Sequence, residues 1–191
     1  MKIALATTNI GKIKEFKEIL KPLNFDIITK KEAGVTQEVK ETGNSFIENA
    51  EIKAKALFNL LHIPIIADDS GLEVAALNGK PGIYSARYSK EGTDYANNQK
   101  LLKELENIKD RRARFVCAIC FINSKGEVFN ILKTVQGEIA YNIKGNGGFG
   151  YDSLFLYNGV RFSDIESSAK NEVSHRGKCI KELILNIKNW V

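Results

Sequence analysis

Lys2-Ile3-Ala4-Leu5-Ala6-Thr7-Thr8-Asn9-Ile10-Gly11-Lys12 sets a short apolar run directly against polar residues and a glycine. The apolar half reads as a buried strand, and it breaks too early for the apolar core of a signal peptide. From about Gly11 the period changes, because Ile13, Phe16, Ile19 and Leu20 fall on one helix face and Pro22 lies just past its expected end. Free backbone N–H groups at that helix start, together with Lys12, suit a polyphosphate. A plain helix cap by Asn9 or a threonine accounts for the same residues equally well.

Working outward, Asp26 to Thr29 reads as a second strand, followed by a polar stretch to Asn44. Ser45-Phe46-Ile47-Glu48 has capping-box spacing and opens an Ala- and Lys-rich helix to about Leu60. Pro64-Ile65-Ile66-Ala67 is expected to be a buried strand that empties into a polar turn at Asp68-Asp69-Ser70-Gly71. A helix is expected over Asp94 to Glu106. Strands over Arg114 to Asn123 and Glu127 to Gln136 flank Ser124-Lys125-Gly126 as a hairpin. A Gly-rich loop spans Gly145 to Gly150, and Ser153 to Tyr157 reads as one more strand. The last helix, from about Ser174, carries Cys179, Ile180, Leu183, Ile184 and Ile187 as its buried stripe. Helices mixed with strands and a hairpin give an α/β class with a mixed β-sheet and flanking helices. With no linker and no repeat, residues 1–191 read as one domain of two lobes at most.

Composition narrows the function classes without naming one. Of 191 residues, 43% are hydrophobic and 27% charged, which is a globular rather than a disordered balance. The formal charge of +5 favours an anionic partner, but Lys and Arg are scattered, which argues against a nucleic-acid-binding module. No run of roughly 18 apolar residues occurs, so no membrane span is expected. Three cysteines are too few for a disulfide scaffold and fit a reduced cytoplasmic setting.

Two motif matches fail on context. Gly145-Asn146-Gly147-Gly148-Phe149-Gly150 satisfies G-x-G-x-x-G, yet the strand-like run from Tyr151 to Tyr157 stands where a dinucleotide site needs a helix. Cys117 and Cys120 sit three apart on a strand, so their sulfurs point to opposite faces and core packing is the better reading. Asp68-Asp69 is the most chemically suggestive acidic pair. Carboxylates at a strand end hold Mg²⁺ against phosphate, though on an extended chain only one of the two faces a given cleft. As a solvated, capping turn the same residues would do nothing of the kind. Lys53 and Lys55 are further phosphate candidates, and Lys170 to Arg176 places donors close to a helix start.

Taken in order, six stretches resemble the inosine triphosphate pyrophosphatase family. They are Thr7-Thr8-Asn9-Ile10-Gly11-Lys12, residues 41–50 (ETGNSFIENA), Ala67-Asp68-Asp69-Ser70-Gly71-Leu72, residues 78–88 (NGKPGIYSARY), Gly147-Gly148-Phe149-Gly150-Tyr151-Asp152, and Ser174-His175-Arg176. The resemblance implies an elongated α/β fold with a central substrate cleft between two lobes, and a homodimer. It implies Mg²⁺-dependent attack of water on the α-phosphate of ITP, dITP or XTP, releasing pyrophosphate. Carried onto this chain, it makes Asp69 the general base or a metal-linked carboxylate, with Glu41 (or Glu38) a second metal-side carboxylate. Asn9 and Lys12 would bind phosphates with Lys53 as a helper, and Thr7, Thr8 and Ser70 would touch the substrate. Phe149 would stack on the base beside Gly150, with Tyr151, Asp152, Lys170, His175 and Arg176 completing the base and phosphate pocket. Donors aimed at O6 of hypoxanthine would meet the amino group of adenine donor to donor, which supports its rejection. Three positions depart from the family pattern: Thr8 replaces a usual Gly, Ser153 a common Pro, and Ala169 an acidic residue.

Overall fold

The computed structural model describes residues 1–145 and 147–190, so Asn146 of the expected Gly-rich loop lies outside the described residues. Among these residues seven strands form one sheet in the order β2-β1-β3-β4-β5-β6-β7. The strands are β1 (Lys2–Leu5), β2 (Asp26–Thr29), β3 (Ile65–Val74), β4 (Arg112–Ile122), β5 (Val128–Ile139), β6 (Phe155–Tyr157) and β7 (Val160–Arg161). The helices are α1 (Ile10–Leu20), α2 (Phe46–Leu61), α3 (Asp94–Glu104), α4 (Ser167–Val173) and α5 (His175–Trp190). Strand β1 pairs parallel with both β2 and β3, while β6 pairs antiparallel with β5 and β7, so the sheet is mixed as expected. No helix among the described residues is long and apolar enough to cross a membrane.

Internal packing divides the chain into two compact units. One comprises residues 1–69, 117–133 and 176 onward, and the other residues 70–116 and 134–175. The first unit buries Ile3, Leu5, Phe16, Leu20, Cys179 and Leu183 in one apolar cluster. These include the α1 and α5 stripes read from the 3.6-residue period. The second unit has its own cluster around Leu72, Leu101, Phe115, Leu154, Phe155 and Phe162.

Helix starts follow local chemistry. Asn9 caps α1 by accepting from the Lys12 N–H at 3.1 Å, and Ser45 caps α2 by accepting from the Glu48 N–H at 3.2 Å. The expected capping box is half realised, because the Glu48 carboxylate turns to the Asn44 N–H at 2.7 Å. The main correction concerns Asp68-Asp69-Ser70-Gly71. It is no turn, since β3 runs through it to Val74 with both aspartates buried. Burying two carboxylates mid-strand is tolerated because each is met by cationic or amide donors. Two smaller corrections lie later in the chain. Residues 151–154 form a turn, so β6 starts only at Phe155, and α4 was not expected from the sequence.

Candidate active site

Alternation along β3 sends Asp68 and Asp69 to different partners. Asp68 Oδ2 lies 2.9 Å from Lys12 Nζ on α1 and 3.2 Å from Arg176 Nε on α5. Arg176 is enclosed and also pairs through Nη1 with Glu15, one helical turn beyond Lys12. Burial alone would raise the Asp68 carboxyl, but the charges of Lys12, Arg176 and Lys53 outweigh it and hold it well below the usual carboxylate range. The Arg176 guanidinium is pushed up in turn, since Asp68 and Glu15 more than offset its burial. Lys12 is thereby held at the α1 start by a buried chain of alternating charge.

Asp69 faces α2. Its Oδ1 lies 3.1 Å from Lys53 Nζ, and its Oδ2 accepts from Asn49 Nδ2 at 3.3 Å. The same Lys53 ammonium lies 2.7 Å from Glu41 Oε1, so the two carboxylates converge on one cation. Burial pushes the Asp69 carboxyl up; Lys53 and Lys12 oppose this, Glu41 reinforces it, and the net shift is upward. Burial works against the charge on Lys53, yet Asp69, Asp68 and Glu41 together raise its pKa, so it stays protonated. A cavity of about 580 Å³ in this unit is lined by Thr7, Thr8, Glu38, Glu41 and Lys53 among others. Glu38 therefore borders the same space, but the carboxylate in contact with Lys53 is that of Glu41.

The second unit gathers most of the residues expected at the base. Asp152 Oδ2 accepts from the Phe149 N–H at 2.9 Å and from Lys170 Nζ at 2.6 Å. Lys170 Nζ also stands 5.0 Å from the Phe149 ring centroid, a cation–π arrangement. Gly148 has φ of +74°, and a side chain there would collide with the Asp152 carboxylate, so glycine is required. His175 stacks on Phe115, with ring centroids 4.6 Å apart and planes 11° from parallel. Tyr151, expected in the base pocket, is buried and donates its hydroxyl to the Ser85 carbonyl at 2.9 Å. Ser70, on β3, is half-buried.

Several members of these clusters escaped sequence reading. Glu15 is an acid within the buried stripe of α1, and Asn49 lies one turn before Lys53 on α2. Those spacings are the signal that was there to find. Phe115 carries none, nor do Asp94 and Asn98, which meet the Gly150 N–H and carbonyl at 2.7 and 2.8 Å, because their partners are remote in sequence.

A family model described as the Ham1 family matches residues 3–185. The chain belongs to the Ham1 family. A dITP/XTP pyrophosphatase from Clostridium perfringens is 44% identical over 98% of this chain and 97% of its own length. One from Bacillus subtilis is 43% identical over 94% of this chain and 93% of its own length. A Staphylococcus aureus Ham1 protein of known structure superposes with a TM-score of 0.89 at 41% identity, covering 99% of both chains. The mixed α/β sheet expected from the sequence is thus the Ham1 sheet, and the expected family membership is borne out.

Proposed function

We propose that this chain hydrolyses non-standard purine nucleoside triphosphates (ITP, dITP and XTP) to the monophosphate and pyrophosphate. The observation that carries the mechanism is a buried aspartate, Asp69, facing a second carboxylate, Glu41, across Lys53; burial pushes its carboxyl up, toward the range of a useful base. In this reading Asp69 takes the proton from water as the water oxygen bonds to the α-phosphorus. The bond from that phosphorus to the bridging oxygen breaks, and pyrophosphate leaves. Asn49 holds Oδ2 of the base in place, and Lys53 keeps the carboxylate from swinging away. Lys12, fixed by Asp68, and the backbone around Thr7, Thr8 and Asn9 take the phosphate chain at the start of α1.

Among the described residues no group of three or more His, Cys, Asp or Glu is gathered as a metal cage. Mg²⁺ rarely uses one; it takes one or two carboxylates and completes its shell with phosphate oxygens and water. Glu41 and Asp69, already converging on one positive charge, fit that donor set. Bound there, Mg²⁺ would neutralise the triphosphate and favour an in-line displacement. In the second unit Phe149 offers its ring to the purine, with Gly150 beside it. Lys170, Asp152, Tyr151 and His175 hold that end in shape. Arg176, engaged with Asp68 and Glu15, supports the phosphate set. Family resemblance further supports a homodimer acting in the cytoplasm on a free nucleotide.

Asp69→Asn tests the base. It should lower kcat by a factor on the order of 10²–10⁴ while the protein still unfolds cooperatively, and unchanged turnover would remove Asp69 from the mechanism. Glu41→Gln should raise the Mg²⁺ concentration needed for half-maximal rate. An unaltered Mg²⁺ dependence would take Glu41 out of the metal site.

A further inference from the structure

We propose that Asp94 and Asn98 are positioning residues that set the base-recognition loop, acting through the backbone of Gly150. They project one turn apart from α3, and each takes one backbone group of that single glycine. Asp94 Oδ2 accepts from the Gly150 N–H at 2.7 Å, and Asn98 Nδ2 donates to the Gly150 carbonyl at 2.8 Å. The Asn98 amide orientation follows from chemistry, because a carbonyl only accepts and so must face the Nδ2 side. That choice leaves Asn98 Oδ1 buried without a hydrogen-bond partner among the described residues. A buried orphan oxygen costs stability, and the arrangement keeps it in order to hold Gly150.

The consequence falls on Phe149. Its orientation depends on two backbone dihedrals, and each is set by the peptide on one side of it. The peptide before Phe149 is held through its N–H by Asp152, three residues away. The peptide after it is the one whose N–H Asp94 holds, from 56 residues away in sequence. Gly150 has φ of +63° with open space where a Cβ would be, so its backbone conformation is permitted but not enforced by packing. Without the α3 clamp, that second peptide would lose its anchor, and the Phe149 ring would sample orientations unsuited to stacking. Holding an aromatic ring in its bound orientation lowers the entropy cost of binding. Asp94 is exposed and Asn98 buried, so the clamp reaches from the surface to the second-unit core.

This inference rests on the proposed role of Phe149 at the base, and the experiment separates the two. Steady-state kinetics with dITP would be measured for the wild type, Asp94→Ala, Asp94→Asn, Asn98→Ala and Phe149→Ala. Inorganic tripolyphosphate would serve as a competitive, base-free probe. Asp94→Ala should raise KM for dITP about tenfold, the scale of one charge-assisted hydrogen bond, with kcat and the tripolyphosphate Ki nearly unchanged. Asp94→Asn keeps an acceptor oxygen for the Gly150 N–H and should recover most of the loss. Asn98 holds the next peptide, through the Gly150 carbonyl, so Asn98→Ala should shift KM in the same direction by a smaller factor. A merely structural role would lower kcat or weaken both ligands alike, and that result overturns the proposal. So does an unchanged dITP KM in Asp94→Ala while Phe149→Ala raises it. If Phe149→Ala itself leaves KM unchanged, the role of Phe149 falls, and the proposal falls with it.

Discussion

An Asp68→Asn substitution would take from Lys12 the carboxylate it pairs with and leave Arg176 with Glu15 where it now has two. Removing one partner from a buried ion network costs on the order of 3–5 kcal/mol, and urea unfolding should show a loss of that size. A loss below about 0.5 kcal/mol, the range of ordinary surface changes, would mean the network carries no weight. Asp69 sits beside Asp68 in sequence but has different partners, Lys53, Asn49 and the neighbouring charge of Glu41. Its substitution should therefore cost turnover far more than stability. Two adjacent aspartates thus separate into one that holds Lys12 and Arg176 and one that pairs with Lys53.

At the scale of elements, the cap of α2 is the simplest test, since Ser45→Ala should cost about 1 kcal/mol in the same urea experiment. The cysteines test the packing of β4 and α5. All three are free and buried, and burial pushes the Cys120 thiol up to about 12 and the Cys117 thiol well above its ordinary value. At pH 8 the folded protein should show no fast-reacting thiol toward a disulfide reagent, and the denatured protein three. Above about pH 8.5 unfolded thiols lose protons that Cys117 and Cys120 keep in the fold, so the contribution of these two to stability falls as pH rises from there. Elements of this kind were legible because periodicity reports burial locally. The stripe of α5 and the edges of β2 could be read without knowing any partner. The passage of β3 through Asp68 and Asp69 could not, because what allows it is Lys12, Lys53 and Arg176, brought in from three other elements. The same limit applied to the site. Lys12, Lys53 and Asp69 are open candidates from their residue types and spacing, and family resemblance adds Phe149, whereas Asn49, Glu15, Asp94 and Asn98 become functional candidates only once their contacts are seen.

For the whole molecule, the proposed reading assigns the phosphates to Lys12 and Lys53 and the base to Phe149. Phe149→Ala should raise KM for dITP about tenfold, the range of one lost base–aromatic stack, and spare inhibition by tripolyphosphate. Lys12→Ala should weaken both. If Phe149→Ala and Lys12→Ala gave the same pattern, the division would be wrong. The most direct test of the central claim is the identity and selectivity of product release. Purified protein with Mg²⁺ would be given dITP, XTP, dATP and dGTP in turn, and phosphate measured with and without added inorganic pyrophosphatase. The account predicts pyrophosphate and monophosphate from dITP and XTP, with orthophosphate appearing only after the second enzyme is added and dATP turned over far more slowly. Direct release of orthophosphate, or equal rates on dATP and dITP, would contradict it.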